Sequence, residues 1–288
     1  MRLVNAAGRA ALVFDGRLVD VVSASAGRWS ARVHELYESW DTFSQWVRRN
    51  DAQLRARAVN GPQISDVRLA APVPFPRQVF AIGLNYREHA REGGAEIPST
   101  PMVFTKFPSA ITGPTDSVVL PSQYVDFEAE LVVVIGKPAE GVGAHEAWHY
   151  VAGLTLGQDL SERAVQTAPP KPQQYSLAKS YRGFAPVGPV LATPDEFANP
   201  DDVEISCHLN GVEMQRARTS DLIFDVPHLV EYLSSIVTLL PGDLVFTGTP
   251  SGIGWVRDPR VVLRPDDVLV TSGDRIGSMR NTFTRPTK

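Results

Sequence analysis

Cysteine and excess positive charge are both scarce in this chain of 288 residues. Cys207 is the only cysteine, which excludes an intramolecular disulfide and favours a reducing compartment. Lysine and arginine total 28 against 32 aspartates and glutamates, which gives a formal net charge of -4. The chain therefore has no basic footprint for nucleic acid, and we predict no nucleic-acid partner.

Long hydrophobic runs are missing as well. No apolar stretch approaches the roughly 20 residues that cross a bilayer, and the opening MRLVNAAGRAALVFDGR lacks the continuous apolar core of a signal peptide. Hydrophobic residues make up 43% and charged residues 21%, the ordinary balance of a globular protein. The sequence predicts a cytoplasmic protein without a membrane partner.

The first part of the chain combines a hairpin with helices. Residues 10–22 alternate around Asp15-Gly16, a pair typical of a two-residue hairpin turn. Apolar residues at helical spacing follow in residues 43–59, and Asp41 is the expected N-cap of that helix. These patterns predict a small α+β unit.

Three prolines within residues 71–76 forbid a helix and favour an extended connection. We therefore predict a small N-terminal domain in residues 1–72 and a larger domain in residues 73–288. Beyond the prolines, strands outnumber helices and mostly form hairpins, which predicts an α+β fold and excludes a doubly wound sheet.

An acidic strand stands at the centre of the larger domain. Residues 124–137, YVDFEAELVVVIGK, begin polar and end in a β-branched run typical of a strand buried on both faces. Because side chains alternate along a strand, Asp126, Glu128 and Glu130 are expected on one face. Carboxylates that converge in an apolar core must take up protons or share a cation, whereas a half-exposed strand would leave them in water.

A third acid, Asp159, closes the predicted strand LTLGQD and would complete a metal site with Glu128 and Glu130. Carboxylate ligands select a hard cation, Mg²⁺ or Mn²⁺, with Ca²⁺ as an alternative. If a helix begins at Asp159, Arg163 and Gln166 lie on its face at i+4 and i+7, where they would suit a substrate carboxylate. An ordinary solvated helix face is the alternative.

Two further segments carry candidate catalytic groups. His89 and Glu92 lie three residues apart, so a helical turn would let the carboxylate orient the imidazole as a general base. Gly93-Gly94 would let this segment, residues 86–98, move as a lid, and an ordinary surface pair is the alternative. Lys179, between apolar neighbours, would stabilise an oxyanion if buried, or would extend to the surface.

The segment 145–149, HEAWH, matches the H-E-x-x-H pattern of zinc proteases. Zinc would need a third protein ligand, and no downstream segment supplies one. We therefore predict that the match is accidental.

Taken together, the chain resembles the fumarylacetoacetate hydrolase family. The resemblance extends from about Pro72 to the C-terminus and rests on seven motifs in the family's order: AIGLNYREHARE, FTKFPSAITGP, VDFEAELVVVIGK, GLTLGQDLSERAVQ, YSLAKSYRGF, NGVEMQRARTSDLIF and GDLVFTGTPSGIG. It implies the family's mixed β-sandwich roll, a homodimer and a metal-dependent enzyme.

The resemblance also implies a role for each candidate residue. Metal ligands would be Glu128, Glu130 and Asp159; His89 and Glu92 would activate water, with Lys179 near the metal; Arg163, Gln166 and Thr249 would face the substrate. The implied activity is hydrolysis of a carbon–carbon bond in a β-diketo acid such as an acylpyruvate. The alternatives are oxaloacetate decarboxylation, dehydration or isomerisation of a 2-keto acid, and a non-catalytic binding paralogue. Leu84 stands where acylpyruvase-type members have arginine, which puts that narrower assignment in doubt.

Overall fold

The computed structural model of the protein describes residues 1–168 and 173–286. None of the helices in these residues is long and apolar enough to cross a membrane. The strands are β1 (Arg2–Ala6), β2 (Arg9–Phe14), β3 (Arg17–Asp20), β4 (Leu69–Ala70), β5 (Val79–Gly83), β6 (Met102–Thr105), β7 (Ile111–Thr112), β8 (Ser117–Val119), β9 (Val125–Asp126), β10 (Ala129–Ile135), β11 (Val151–Gln158), β12 (Ser161–Glu162), β13 (Ala185–Ala192), β14 (Glu204–Leu209), β15 (Val212–Arg218), β16 (Leu244–Phe246), β17 (Val268–Gly273) and β18 (Gly277–Thr284). The helices are α1 (Val21–Ala24), α2 (Val33–Tyr37), α3 (Trp40–Arg49), α4 (Asp51–Ala58), α5 (Arg87–Glu92), α6 (Arg163–Gln166), α7 (Tyr175–Ala178) and α8 (Val226–Ser234).

Two mixed sheets form the body of the molecule. The larger has the order β3-β2-β1-β13-β11-β10-β16-β5-β6, with β4 and β7 paired at its side, and the smaller has the order β15-β14-β17-β18-β8. They share an apolar core that includes Leu156, Ile205 and Met279. The predicted α+β class and the sandwich roll of the fumarylacetoacetate hydrolase type are confirmed.

The middle strand β10 is buried along its whole length, as its β-branched run predicted. Alternate residues enter different cores. Val132 and Val134 belong to a cluster with Phe43 of α3, whereas Leu131 and Val133 belong to one that contains residues of α8. Apolar packing on both faces fixes the register of β10 and so the position of the acids at its start.

The N-terminal hairpin matches its prediction, with Asp15 at φ 48° and Gly16 at φ 77° in the turn between β2 and β3. The predicted N-cap is wrong: α3 begins at Trp40, and Asp41 lies in its first turn. The expected single helix also divides into α3 and α4 at Asn50. The Asn50 amide donates to the Trp46 carbonyl (2.8 Å), a local bond that competes with continuation of the helix.

The division into two domains at residue 72 remains a prediction. Strand β1 pairs with β13, and residues of α2 and α3 share a core with β10 and β16. This continuous sheet counts against independent folding of residues 1–72. Two separate transitions in urea unfolding would support the division, and a single transition would argue for one cooperative unit.

Candidate metal centre and active site

A short break between two strands shapes the centre of the site. The acidic strand that the sequence predicted is interrupted, because Phe127 and Glu128 separate β9 from β10. Two buried side-chain amides accept the backbone N–H groups at the break: Gln158 from Glu128 (3.0 Å) and Gln215 from Ala129 (3.0 Å). These bonds satisfy donors that would otherwise be buried without a partner.

Three carboxyl groups converge beside this break. Glu130 lies in β10, Glu128 lies two residues before it, and Asp159 directly follows the neighbouring strand β11. Their oxygens come within 4.8 Å of one another, and all three side chains are buried. The Asp159 N–H donates to the Glu128 carbonyl (2.9 Å), which joins the two strand ends. The structure thus brings together the three acids that the sequence grouped.

Two buried lysines neutralise part of this charge. The Lys179 ammonium contacts Glu128 Oε2 (2.7 Å) and Asp159 Oδ2 (2.6 Å) and donates to Ser161 Oγ (2.8 Å). The Lys106 ammonium lies on Asp159 Oδ1 at 2.5 Å and also donates to the Lys179 carbonyl. Lys179 is therefore buried, and the surface alternative is excluded.

Arg163 connects the cluster to a fourth acid. Its guanidinium contacts Asp126 Oδ2 through Nε (3.0 Å) and Nη2 (2.7 Å), contacts Glu128 Oε1 (2.6 Å), and donates to Gln166 Oε1 (2.7 Å). Asp126 also accepts the Gly254 N–H (2.9 Å), so it serves as an anchor for Arg163 outside the three-acid group.

The predicted helical face from Asp159 is wrong, since α6 begins only at Arg163 and a short strand, β12, precedes it. Arg163 and Gln166 are nevertheless buried together. The cause is the ion pair with Asp126, which draws the guanidinium inward. The solvated alternative is excluded for both residues.

Burial and neighbouring charges shift the pKa values of Glu128 and Glu130 in opposite directions. Burial acts against the ionised form of Glu128, but the charges of Lys179 and Arg163 outweigh it and lower the pKa of Glu128 to about 2. Burial, with the charges of Asp159 and Glu128, holds the pKa of Glu130 well above its usual range. Glu130 is thus the acid whose negative charge is least compensated by the protein.

The charge balance of the cluster fits a divalent cation. Among residues 1–168 and 173–286, four buried carboxyl groups face three buried cations, so by formal charge one positive charge is lacking: Asp126, Glu128, Glu130 and Asp159 against Lys106, Arg163 and Lys179. Oxygen donors of this kind suit Mg²⁺, Mn²⁺ or Ca²⁺. A bound divalent ion would reverse the sign of the site and favour an anionic substrate. Glu128, Glu130 and Asp159 are the residues that could hold it.

The histidine candidate faces the same site. His89 lies in α5, with Nδ1 at 3.3 Å from Glu92 Oε2, and Glu92 in turn accepts the Gly252 N–H (3.0 Å). A hydrogen bond from Nδ1–H to the carboxylate leaves Nε2 free to take a proton. Helix α5 therefore contacts the loop after β16 through Glu92. That residues 86–98 open as a lid remains a prediction.

Several of these side chains line one cavity of about 160 Å³. His89, Glu128 and Lys179 line it together with Arg163 and Gln166, and Thr249 completes the polar side. The volume suits a small metabolite, since drug-sized ligands occupy pockets of roughly 300–1,000 Å³. Every candidate substrate-binding and catalytic side chain from the sequence except Glu92 therefore borders one space.

Thr249 is held in place by two hydrogen bonds. Its hydroxyl donates to the Ala129 carbonyl (3.0 Å) and accepts from Gln215 Nε2 (2.8 Å). Gln215, which the sequence analysis did not single out, thereby ties the loop after β16 to the start of β10. These bonds fix the position of the threonine at the cavity wall.

The H-E-x-x-H segment, residues 145–149, does not have the geometry of a zinc site. Residues 144–150 form a 3₁₀ helix, in which residues at i and i+4 point in different directions. His145 and His149 are exposed and belong to no group of potential metal ligands in residues 1–168 and 173–286. The prediction that this match is accidental agrees with the geometry.

Lys106 is a buried site residue that the sequence did not predict. Its motif, FTKF, entered only through the family resemblance, although Lys106, like Lys179, has apolar residues close by in the sequence. The contact with Asp159 spans 53 residues, so no local pattern could pair them. Lys106 and Lys179 together provide the positive charge around Asp159.

We expect Lys106→Met to lower the free energy of unfolding by about 3 kcal/mol, because it removes one of the two ammonium groups that contact the buried Asp159 carboxylate and leaves Oδ1 without its cation. The control is Lys137→Met, whose ammonium makes a half-exposed pair with Asp41 (3.1 Å) and whose loss should cost less than about 1 kcal/mol. Urea unfolding of chelator-treated proteins measures both. Equal losses would show that Asp159 does not depend on Lys106.

Comparison with known proteins identifies the family. Residues 78–284 match the model of the fumarylacetoacetate (FAA) hydrolase C-terminal domain. A mitochondrial oxaloacetate tautomerase of Rattus norvegicus is 39% identical over 83% of this chain and 79% of its own length. A solved structure from Mycobacterium smegmatis is 44% identical, covers 100% of both chains and has a TM-score of 0.89. The structure of maleylpyruvate hydrolase from Sphingobium sp. SYK-6, in complex with manganese(II) ion and pyruvate, covers 100% of both chains with 27% identity and a TM-score of 0.80.

The chain belongs to the fumarylacetoacetate hydrolase family. It is an enzyme of the kind that acts on ketonic substrates. The acidic cluster at the strand ends is a place where a divalent metal could bind.

Proposed function

We propose that the enzyme hydrolyses a carbon–carbon bond in a β-diketo acid of the acylpyruvate type, with Mg²⁺ or Mn²⁺ held by Glu128, Glu130 and Asp159. The observation that carries the proposal is the shared cavity, where a His89 imidazole oriented by Glu92 faces Glu128, one of the three carboxylates that could hold a cation. The manganese and pyruvate bound to the maleylpyruvate hydrolase relative support both the metal and a 2-keto-acid ligand.

The protein's own groups divide the work. When bound, the cation supplies Lewis-acid stabilisation of negative charge on the keto-acid oxygens. Gln166 and Thr249 orient the keto acid from the cavity wall. The Lys179 ammonium, whose pKa the charges of Asp159 and Glu128 raise against the effect of burial, stays protonated. Its donors are bound to Glu128, Asp159 and Ser161, so it acts on a developing oxyanion through its charge and not through a new hydrogen bond.

His89 starts the bond cleavage. Its Nε2 accepts a proton from water, and the hydroxide adds to the carbonyl of the acyl group. The carbon–carbon bond then breaks, its electron pair passes to the pyruvate part as an enolate, and the enolate carbon takes back the proton from the His89 imidazolium. The products are a carboxylic acid and pyruvate, and His89 is neutral again.

The far wall of the cavity indicates which acyl groups fit. It is formed by apolar side chains: Ile82, Leu84, Met102, Phe104 and Ile253. The cations that line the cavity, Arg163 and Lys179, are already paired with carboxylates. A second carboxylate on the substrate would therefore lose its hydration without gaining a cation. An uncharged alkyl acyl group is the better fit.

The second candidate is tautomerisation or decarboxylation of oxaloacetate. The 39% identical relative named as an oxaloacetate tautomerase favours it. That reaction needs proton transfer between oxygen and carbon but no attacking water, so the His89–Glu92 pair would serve it as a proton carrier and not as the activator of water. Oxaloacetate would also place its second carboxylate against the apolar wall.

A substrate panel separates the candidates. With Mg²⁺ or Mn²⁺ present, we expect acetylpyruvate and butyrylpyruvate to release pyruvate with a kcat/KM at least about tenfold above that of fumarylpyruvate, which carries a charged far end. A lactate dehydrogenase-coupled assay measures pyruvate, and the ultraviolet absorbance of the enol follows oxaloacetate. Fast loss of the oxaloacetate enol, with no pyruvate from any acylpyruvate, would replace the hydrolase proposal with a tautomerase.

The homodimer and the cytoplasmic location that the sequence analysis predicted remain predictions. Sedimentation velocity tests the first and cell fractionation the second. The mitochondrial name of the Rattus norvegicus relative makes the fractionation informative, since a closely similar chain works in another compartment.

A further inference from the structure

A second cavity, larger than the catalytic one, lies elsewhere on the molecule. A groove of about 960 Å³ lies between the loop before β9 and the loop after residue 254, and it shares no lining residue with the catalytic cavity. Its volume falls at the upper end of the range of small-molecule sites. The mechanism above does not use it.

Three arginines, Arg260, Arg264 and Arg285, border this groove. None of them forms an ion pair within residues 1–168 and 173–286, and Asp266 is the one carboxylate among the lining residues. Unpaired guanidinium groups next to a concave apolar surface attract an anion and hold carboxylate or phosphate oxygens through paired N–H groups. The groove therefore selects for negative charge.

The same groove offers flat aromatic and apolar surfaces. The Arg260 guanidinium lies 4.0 Å from the centre of the Trp255 ring, and Tyr124 meets Trp255 edge to face at 6.4 Å. The remaining walls include Leu120 and Leu263. A planar apolar body would stack in this space while its charge lay at the arginines.

Backbone bonds fix the two aromatic residues in place. The Tyr124 carbonyl accepts the Arg163 N–H (3.0 Å), and the Trp255 N–H donates to Asp126 Oδ2 (3.1 Å). Both walls are therefore anchored to the buried Asp126–Arg163 pair, so binding would cost little additional conformational entropy.

We propose that this groove is a second binding site, which takes an organic anion with a flat apolar body and one carboxylate or phosphate. A second copy of the chain is the less favourable occupant. In a two-fold contact that set this groove against its own copy, six arginines would share two aspartates among the lining residues, so like charges would outnumber opposite ones.

Isothermal titration with three probes tests the proposal. 2-Naphthoate has both the flat body and the charge, 2-naphthalenemethanol has only the body, and inorganic phosphate has only the charge. We expect 2-naphthoate to bind with a dissociation constant below about 1 mM and each of the other two at least about tenfold more weakly. Equal affinity of the two naphthalene compounds would overturn the role of the arginines.

Variants assign the binding to the groove. Arg260→Gln and Trp255→Leu are expected to weaken 2-naphthoate binding about tenfold or more, while Arg49→Gln, at an exposed arginine of α3, leaves it unchanged. Because the groove is separate from the catalytic cavity, pyruvate with Mn²⁺ should not displace the probe. Displacement by pyruvate, or a change of oligomeric state in Arg260→Gln seen by sedimentation, would overturn the proposal.

Discussion

Glu130→Gln is expected to remove divalent-cation binding and to reduce metal-dependent turnover by roughly 10²–10³-fold or more, the effect of several kcal/mol on the transition state. Glutamine keeps the shape of the side chain and can still accept the Gly248 N–H that Glu130 Oε2 accepts at 2.7 Å. What it removes is the carboxylate of the cluster that no lysine or arginine in the described part of the chain contacts directly. Titration with Mn²⁺ measures the affinity, and the substrate panel measures the turnover.

The same variant should not destabilise the metal-free protein. Burial and neighbouring acids disfavour the ionised form of Glu130, so a neutral isostere relieves repulsion. We expect the melting temperature of Glu130→Gln to equal or exceed that of the wild type without metal, while the increase that Mn²⁺ gives the wild type is lost. Glu140→Gln, at an exposed glutamate, is the matched control and should keep that increase. A Mn²⁺-induced increase that survives in Glu130→Gln would remove Glu130 from the ligand set.

Alternation predicted two of the three converging acids, Glu128 and Glu130, but it also placed Asp126 with them, which pairs with Arg163 outside the three-acid group. Glu128 and Glu130 project toward one site, and Asp159 joins them because β11 runs antiparallel to β10, so the end of one strand lies beside the start of the other. What alternation could not show is the interruption at Phe127 and Glu128. The interruption depends on the Gln158 and Gln215 side chains, which come from distant segments.

The buried lysines and arginine around the three acids were harder to predict from the sequence than the acids themselves. Lys106 and Lys179 approach Asp159 from loops that only the folded sheet brings together, over separations of 53 and 20 residues. Arg163 was predicted near Asp159 for the wrong reason, since its position depends on the ion pair with Asp126 and not on a helical face. Long-range ion pairs leave no periodic trace in a sequence, and only the family resemblance pointed to Lys179 beside the metal.

Replacement of the proposed general base, His89, should separate metal binding from catalysis. We expect His89→Ala to lose hydrolysis of acylpyruvates by about 10²–10⁴-fold, the usual contribution of a positioned general base. Mn²⁺ affinity should stay within about threefold of the wild type, because His89 lies in α5 while the three acids lie at the ends of β10 and β11. The two functions are thus carried by separate segments.

His145→Ala is the matched control, since His145 is exposed and lies in the H-E-x-x-H segment. It should change neither metal affinity nor turnover, and a loss of both would support a zinc site at the H-E-x-x-H segment.

Glu92→Gln separates orientation from proton transfer. The amide can still accept from the Gly252 N–H, but it no longer stabilises an imidazolium, so kcat should fall more than KM rises. Hydrolysis by His89→Ala at the wild-type rate would show that another group activates the water. The proposed mechanism would then fail, although the metal site and the hydrolase activity would stand. The tautomerase candidate would be favoured only if the wild type itself released no pyruvate from acylpyruvates and rapidly consumed the oxaloacetate enol.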